Sequence, residues 1–350
     1  MPTERTVAQV INIARQWIED KYADRPDFIG AHLVGSLHHM PFTAPFLSYR
    51  DVDLAIILDS ISDQDIDDTN YDGLIMEAIL APVQRYESAE ELLADSSNAS
   101  IFAADHSVLL DPTGKLSALT GVIKKEYPRR KWVTARRDEM LQKAEEAFAA
   151  LTKAKDITQA IFAVGELNMY LIATLTVVRL TPLTHRRNML QLRNIIQTDQ
   201  EKQIFEKLHQ LLGSQHVRPD EAENLLTRTV EAFDYALTIH KTPVPYEHKL
   251  KPCIRPYLVE GTREMFNEDG HRESIFWITL FMMISCAAIQ ADAPAEEQVK
   301  HLSHARELLQ TIGLASPEDI QERIRLAQTL LDEMKGLTDH IIAASPDILS

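Results

Sequence analysis

His32-Leu33-Val34-Gly35-Ser36, a spacer of fourteen residues, and then Asp51-Val52-Asp53-Leu54-Ala55-Ile56-Ile57-Leu58 form the stretch that decides the fold of this 350-residue chain. The apolar residues flanking each motif predict two short buried strands. Side chains two apart on a strand share a face, so Asp51 and Asp53 project together while Val52 and Leu54 point the other way into a core. Two ionised carboxylates that close repel each other. A divalent cation relieves the repulsion, and such a pair holding Mg²⁺ beside phosphates is a recurring way to run phosphoryl chemistry. The Gly35-Ser36 step suits the other half of that task. Glycine lets the backbone approach a phosphate closely, and Ser36 is expected to open a helix whose first N–H groups are donors.

Working outward, Val7, Val10, Ile11, Ala14, Trp17 and Ile18 repeat at helical spacing and predict an amphipathic first helix. Phe28 to Val34 and Asp51 to Leu58 are the strands. The acidic stretch Asp59 to Asp72 reads as a loop, and Leu74 to Tyr86 fits a helix or a strand equally. Glu87 to Leu93 reads as a helical turn. Ala99 to Ala103 and Ser107 to Leu110 read as a hairpin, stopped by the turn Asp111-Pro112-Thr113-Gly114. Tyr127-Pro128-Arg129-Arg130 marks the expected boundary between a domain of residues 1–128 and one of residues 129–350. Beyond it the periodicity is helical, with a Pro-rich connector from His240 to Pro256. Ser316-Pro317-Glu318-Asp319 starts a helix, and Gly313 and Gly336 stand where helices are expected to end. The fold class is therefore α+β, a small mixed-sheet domain followed by a larger all-α domain.

Composition is that of an ordinary soluble protein, 45% hydrophobic and 25% charged, with net charge −16. A surface that binds nucleic acid is usually basic, so no nucleic-acid partner is expected. The acidic field would favour a cationic substrate, and solubility explains it equally well. Cys253 and Cys286 sit among apolar neighbours and read as buried free thiols. Ser274 to Ile289 is short for a membrane span and reads as a core helix, so no membrane partner is expected and the cytoplasm is the default compartment.

The two motifs in this setting resemble the nucleotidyltransferase superfamily, whose pattern is an apolar residue, Gly-Ser, a spacer and Asp-x-Asp on a strand. The order of a small α/β domain and a helical one is similar to that of the kanamycin and other aminoglycoside nucleotidyltransferases. The resemblance implies an enzyme that moves a nucleoside monophosphate from a nucleoside triphosphate, ATP by default, to a hydroxyl of a small molecule such as an aminoglycoside-like antibiotic. Asp51 and Asp53 would hold Mg²⁺, and Gly35 and Ser36 would meet phosphate. The helical domain would bind the acceptor, with a homodimer as one arrangement.

Two positions depart from that family's pattern. Anchoring on Val108-Leu109-Leu110-Asp111 puts Ser100 where a third carboxylate is expected, with Asp105 the nearest upstream acid. Aligning Ala144 to Lys153 with the helix that carries the family's base keeps Lys153 as the phosphate contact and puts Ala149 at the base. Glu145, one turn earlier on the same face, is the substitute, with Glu146 and Glu166 as further options. The departures leave open a nucleotide-binding regulatory protein with a degenerate site, and a nucleotidyltransferase that modifies a protein is a third reading. Asp269-Gly270-His271-Arg272-Glu273 and Thr184-His185-Arg186-Arg187 read as polar turns with a second possibility of lining a pocket or holding an anion. His38 and His39 lie near the phosphate motif without a zinc-like spacing.

Overall fold

The computed structural model describes residues 5–47, 49–63 and 65–350. Helix α1 (Val7–Tyr22) begins at a capping box in which Thr6 and Gln9 satisfy each other's backbone N–H groups. Its buried stripe, from Val7 to Tyr22, joins one core with Leu33, Val52, Leu54, Ile56, Leu58, Leu74, Met76 and Ala78. Strands β1 (Arg5–Thr6) and β3 (Pro45–Phe46) make a short antiparallel pair.

The main sheet contains β2 (Phe28–Leu33), β4 (Asp51–Leu58), β5 (Asp65–Tyr71), β6 (Leu74–Pro82) and β7 (Val108–Leu110), in the order β5-β6-β4-β2-β7. β4 and β6 run parallel, and the other neighbours are antiparallel. Alternation along β4 separates its two faces. Val52, Leu54, Ile56 and Leu58 belong to the α1 core, whereas Ile57 joins a second core with Ala81, Tyr86, Leu93, Phe102, Leu116 and Ile123. That second core gathers residues of helices α2 (Ala89–Ala94), α3 (Ser96–Ala103) and α4 (Lys115–Glu126).

Three expectations are corrected here. The stretch Asp59 to Asp72 is not all loop, because its second half is β5, paired with β6 through a tight turn at Asp72 (φ 51°) and Gly73 (φ 74°). A strand at the sheet edge needs no apolar face of its own, so Asp65-Ile66-Asp67 showed none. Ala99 to Ala103 is helical rather than half of a hairpin, since the Asp95 side chain caps α3 by accepting from Ser97 and Asn98 N–H at 2.8 and 3.0 Å. Ser36 opens a single 3-10 turn, Ser36–His39, and not a longer helix. Helix α4 follows the Asp111 turn, with Asp111 accepting from Ser117 N–H at 2.8 Å.

The chain divides into two compact units, one of residues 1–139, 176–184 and 341–350, the other of residues 140–175 and 185–340. Helices α5 (Arg130–Thr152), α6 (Ile157–Val178) and α13 (Pro317–Ala344) contribute residues to both. In the first unit Arg136 of α5 is fully buried. Its guanidinium donates to the carbonyls of Leu93 and Tyr127, at 2.8 Å each.

The regular elements described in the second unit are helices: α7 (Asn188–Ile195), α8 (Asp199–Leu212), α9 (Pro219–Ile239), α10 (Arg255–Asn267), α11 (Ile275–Asp292) and α12 (Ala295–Thr311) with the remainder of the shared helices. α11 packs against α9, α10 and α12. By length and composition α6 and α11 would suffice to cross a membrane, but 78% and 56% of their apolar windows are buried within the protein. The connector from His240 holds two 3-10 turns and leads into α10, and α13 runs through Gly336 to Ala344. Cys286 is buried, as expected, and burial pushes its thiol up to about 12. Cys253 is exposed, because the turn Pro252–Ile254 turns Ile254 inward instead. The protein is thus α+β, with a small mixed sheet early in the chain and a large helical region after it.

Candidate active site

Asp51 and Asp53 occupy the face of β4 opposite the α1 core, as the alternation of the strand requires. The parallel register of β4 and β6 sets Asp53 beside Glu77. One carboxylate oxygen from each of Asp51, Asp53 and Glu77 lies within 4.8 Å of the others, and all three residues are half-buried. Around an octahedral ion with oxygens at about 2.1 Å, neighbouring ligands stand about 3 Å apart and opposite ligands about 4.2 Å. Small side-chain adjustments therefore bring these oxygens onto one ion. An all-oxygen, all-anionic donor set suits a hard divalent cation such as Mg²⁺ or Mn²⁺.

Glu77 is the residue that the sequence motifs missed. The position aligned with the third carboxylate, Ser100, is buried in α3, where it cannot serve as a strand-borne ligand. The available signal was the single acid in the otherwise apolar run Leu74-Ile75-Met76-Glu77-Ala78-Ile79-Leu80-Ala81-Pro82. A carboxylate within such a strand needs a polar or ionic reason to be there. Asp105 is instead an exposed partner of Lys124 at 2.8 Å, and Asp111 is a turn residue.

The glycine motif meets the acids directly. Gly35 has φ 52° and ψ −151°, a backbone conformation that favours glycine. An ideal Cβ placed on it would stand 1.8 Å from Asp53 Oδ2. The neighbouring Val34 N–H donates to the Asp53 carbonyl at 2.8 Å, which ties the motif to β4. His38 is buried and its Nδ1–H donates to the Gly35 carbonyl at 2.5 Å. One layer further into the sheet His32 is fully buried, with Nδ1–H donating to the Leu33 carbonyl at 2.8 Å and Nε2 accepting from the Tyr86 hydroxyl at 3.2 Å. Burial pushes both imidazoles down to about 4, helped at His38 by the neighbouring His39. Both rings are therefore neutral at pH 7, and no histidine belongs to the acidic cluster among the described residues.

The remaining candidates are distributed as follows. Ser36 is half-buried at the start of the 3-10 turn beside Gly35. Glu145 on α5 and Lys153 just beyond it are exposed residues of the second unit, and Ala149 is half-buried on α5. Glu146 is exposed and accepts from Gln142 at 3.0 Å. Glu166 is exposed on α6. Arg186 and Arg187 are committed within the protein. Arg186 donates to the Tyr257 carbonyl at 3.1 Å and lies over the Tyr257 ring, and Arg187 pairs with Glu268 at 2.5 Å. Glu273 is buried and paired with Arg193 at 2.9 Å, so the segment from Asp269 is a structural turn.

No family model matches the chain, and no curated protein matches it. Among solved structures, a nucleotidyltransferase-like protein from Exiguobacterium sibiricum is similar at 12% identity over 74% of this chain and 92% of that one, with a TM-score of 0.33. At that level of likeness the chemistry is read from the residues of the site itself.

Proposed function

We propose that the protein is a metal-dependent nucleotidyltransferase that moves a nucleoside monophosphate from a nucleoside triphosphate, ATP by default, to a hydroxyl of a small-molecule acceptor. The observation that carries this reading is the meeting of Asp51, Asp53 and Glu77 on two parallel strands against the Gly35 backbone. When bound, Mg²⁺ supplies charge neutralisation at the phosphates. The three carboxylates would hold it there, and the β4–β6 ladder fixes their spacing before substrate arrives. Gly35 leaves room at Asp53 that any side chain would take, and Ser36 offers a hydroxyl beside it for phosphate. Glu145 is the candidate base for the acceptor hydroxyl, and Lys153 the candidate cation for the triphosphate. An aminoglycoside-like polyamine is one acceptor that suits the acidic charge of the chain.

A degenerate, nucleotide-binding regulatory protein is the second reading, and Ala149 at the aligned base position favours it. Glu77 weighs the other way, since it completes the acid set that Ser100 lacked. Transfer of label from an α-labelled nucleotide to a panel of hydroxyl acceptors, followed with pyrophosphate release, separates the two. Saturable Mg²⁺-nucleotide binding without transfer would favour the regulatory reading. Undiminished transfer by Asp51→Asn/Asp53→Asn protein would exclude the proposed metal site.

A further inference from the structure

The second unit encloses a cavity of about 190 Å³ lined by α6, α11 and the connector before α10. An apolar cavity of about 150 Å³ holds a benzene ring, so this one has room for a ring with a short substituent. Its wall is rich in aromatic and thioether side chains, among them Phe162, Met169, Phe276 and Met283. Gly165 makes part of that wall possible, because a Cβ there would stand 2.5 Å from the Phe276 ring.

Two features distinguish this space from a packing defect. Tyr246 lines it while 42% exposed, which sets the residue at the mouth, and its ring stacks on Phe162 at 5.4 Å and 22°. Its φ of 62° is uncommon for a bulky residue and costs about 1–3 kcal/mol. Glu166, exposed on α6, is the one carboxylate among the described lining residues, and its charge adds to burial in raising the Tyr246 phenol.

We propose that this cavity binds a small organic ammonium ion built on one apolar ring. The ring packs among Phe162, Met169, Phe276 and Met283. The ammonium pairs with Glu166 at the face of Tyr246, where ring quadrupole and carboxylate attract a cation together. This proposal concerns the helical unit and stands apart from the metal site.

Calorimetric titration of the full-length protein with 2-phenylethylamine tests it, with 2-phenylethanol as the uncharged isostere and with Glu166→Gln and Met283→Trp variants. The expected result is one saturable site for 2-phenylethylamine, binding about fivefold more weakly in Glu166→Gln protein, and lost in the folded Met283→Trp protein whose cavity is filled. Absence of 2-phenylethylamine binding to the unaltered protein overturns the proposal. Equal affinity for 2-phenylethanol, or indifference to Glu166→Gln, overturns the ammonium assignment, and binding that survives Met283→Trp puts the amine elsewhere.

Discussion

Gly35 and Asp53 are packed so closely that no side chain fits between them: a Cβ on Gly35 would overlap the Asp53 carboxylate, at 1.8 Å from Oδ2 and 2.7 Å from Cγ. The two halves of the sequence motif, fourteen residues apart, are thus one structural unit. Gly35→Ala is expected to displace the Asp53 side chain and to strain a backbone at φ 52°. Misplacing a reacting geometry by about 1 Å costs about 100-fold in rate. Nucleotide transfer should fall by at least that factor in the variant, while circular dichroism reports a retained fold.

Gly73 is the contrasting case. It also has positive φ, but a Cβ there meets nothing within 4 Å. Gly73→Ala should therefore cost only the backbone term, about 1 kcal/mol, read as a lower denaturant midpoint. Cation affinity at the acids should stay as in the unaltered protein.

Glu77→Gln is expected to weaken Mn²⁺ binding, followed by electron paramagnetic resonance, by at least about 10-fold, as removal of an anionic ligand should. Ser100→Ala should leave that affinity untouched. The reverse pattern would return the third ligand to the position read from the motif alignment.

His32 links stability to acidity. Burial disfavours the charged ring and holds its folded pKa at about 4, below the ordinary histidine value of 6.5. The unfolded chain therefore takes up the proton first as pH falls, and stability present above about pH 6.5 is lost progressively toward pH 4. The loss should reach on the order of 1–3 kcal/mol, measured by urea denaturation at a series of pH values. In His32→Gln protein, which has no imidazole to protonate there, the pH slope should flatten.

Glu145→Gln tests the proposed base. General-base removal costs about 10²- to 10⁴-fold, so kcat should fall in that range with nucleotide affinity unchanged. Full activity in the variant would pass the role to Glu146, testable by the same substitution.

The opening motif was legible because strand alternation is a local property. With a period of two, Val52, Leu54, Ile56 and Leu58 must bury together, and Asp51 and Asp53 must then share the other face. Helices of the second unit were legible for the same reason: Pro219–Ile239 carries its apolar stripe and its capping signals in its own sequence. Segments whose identity depends on a neighbour were not. Asp65–Tyr71 is a strand only because β6 pairs with it, and Ala99–Ala103 is a helix only because Asp95 caps it over the second core.

The amino-acid order alone determined that Asp51 and Asp53 stand side by side, since alternation along a strand follows from dihedral geometry within a few residues. Which acid joins them was a matter of register between strands distant in the chain. Glu77 reaches the site because β6 lies parallel to β4 with Asp53 and Glu77 level, and the choice of that register lies in the packing of both sheet faces rather than in any local pattern.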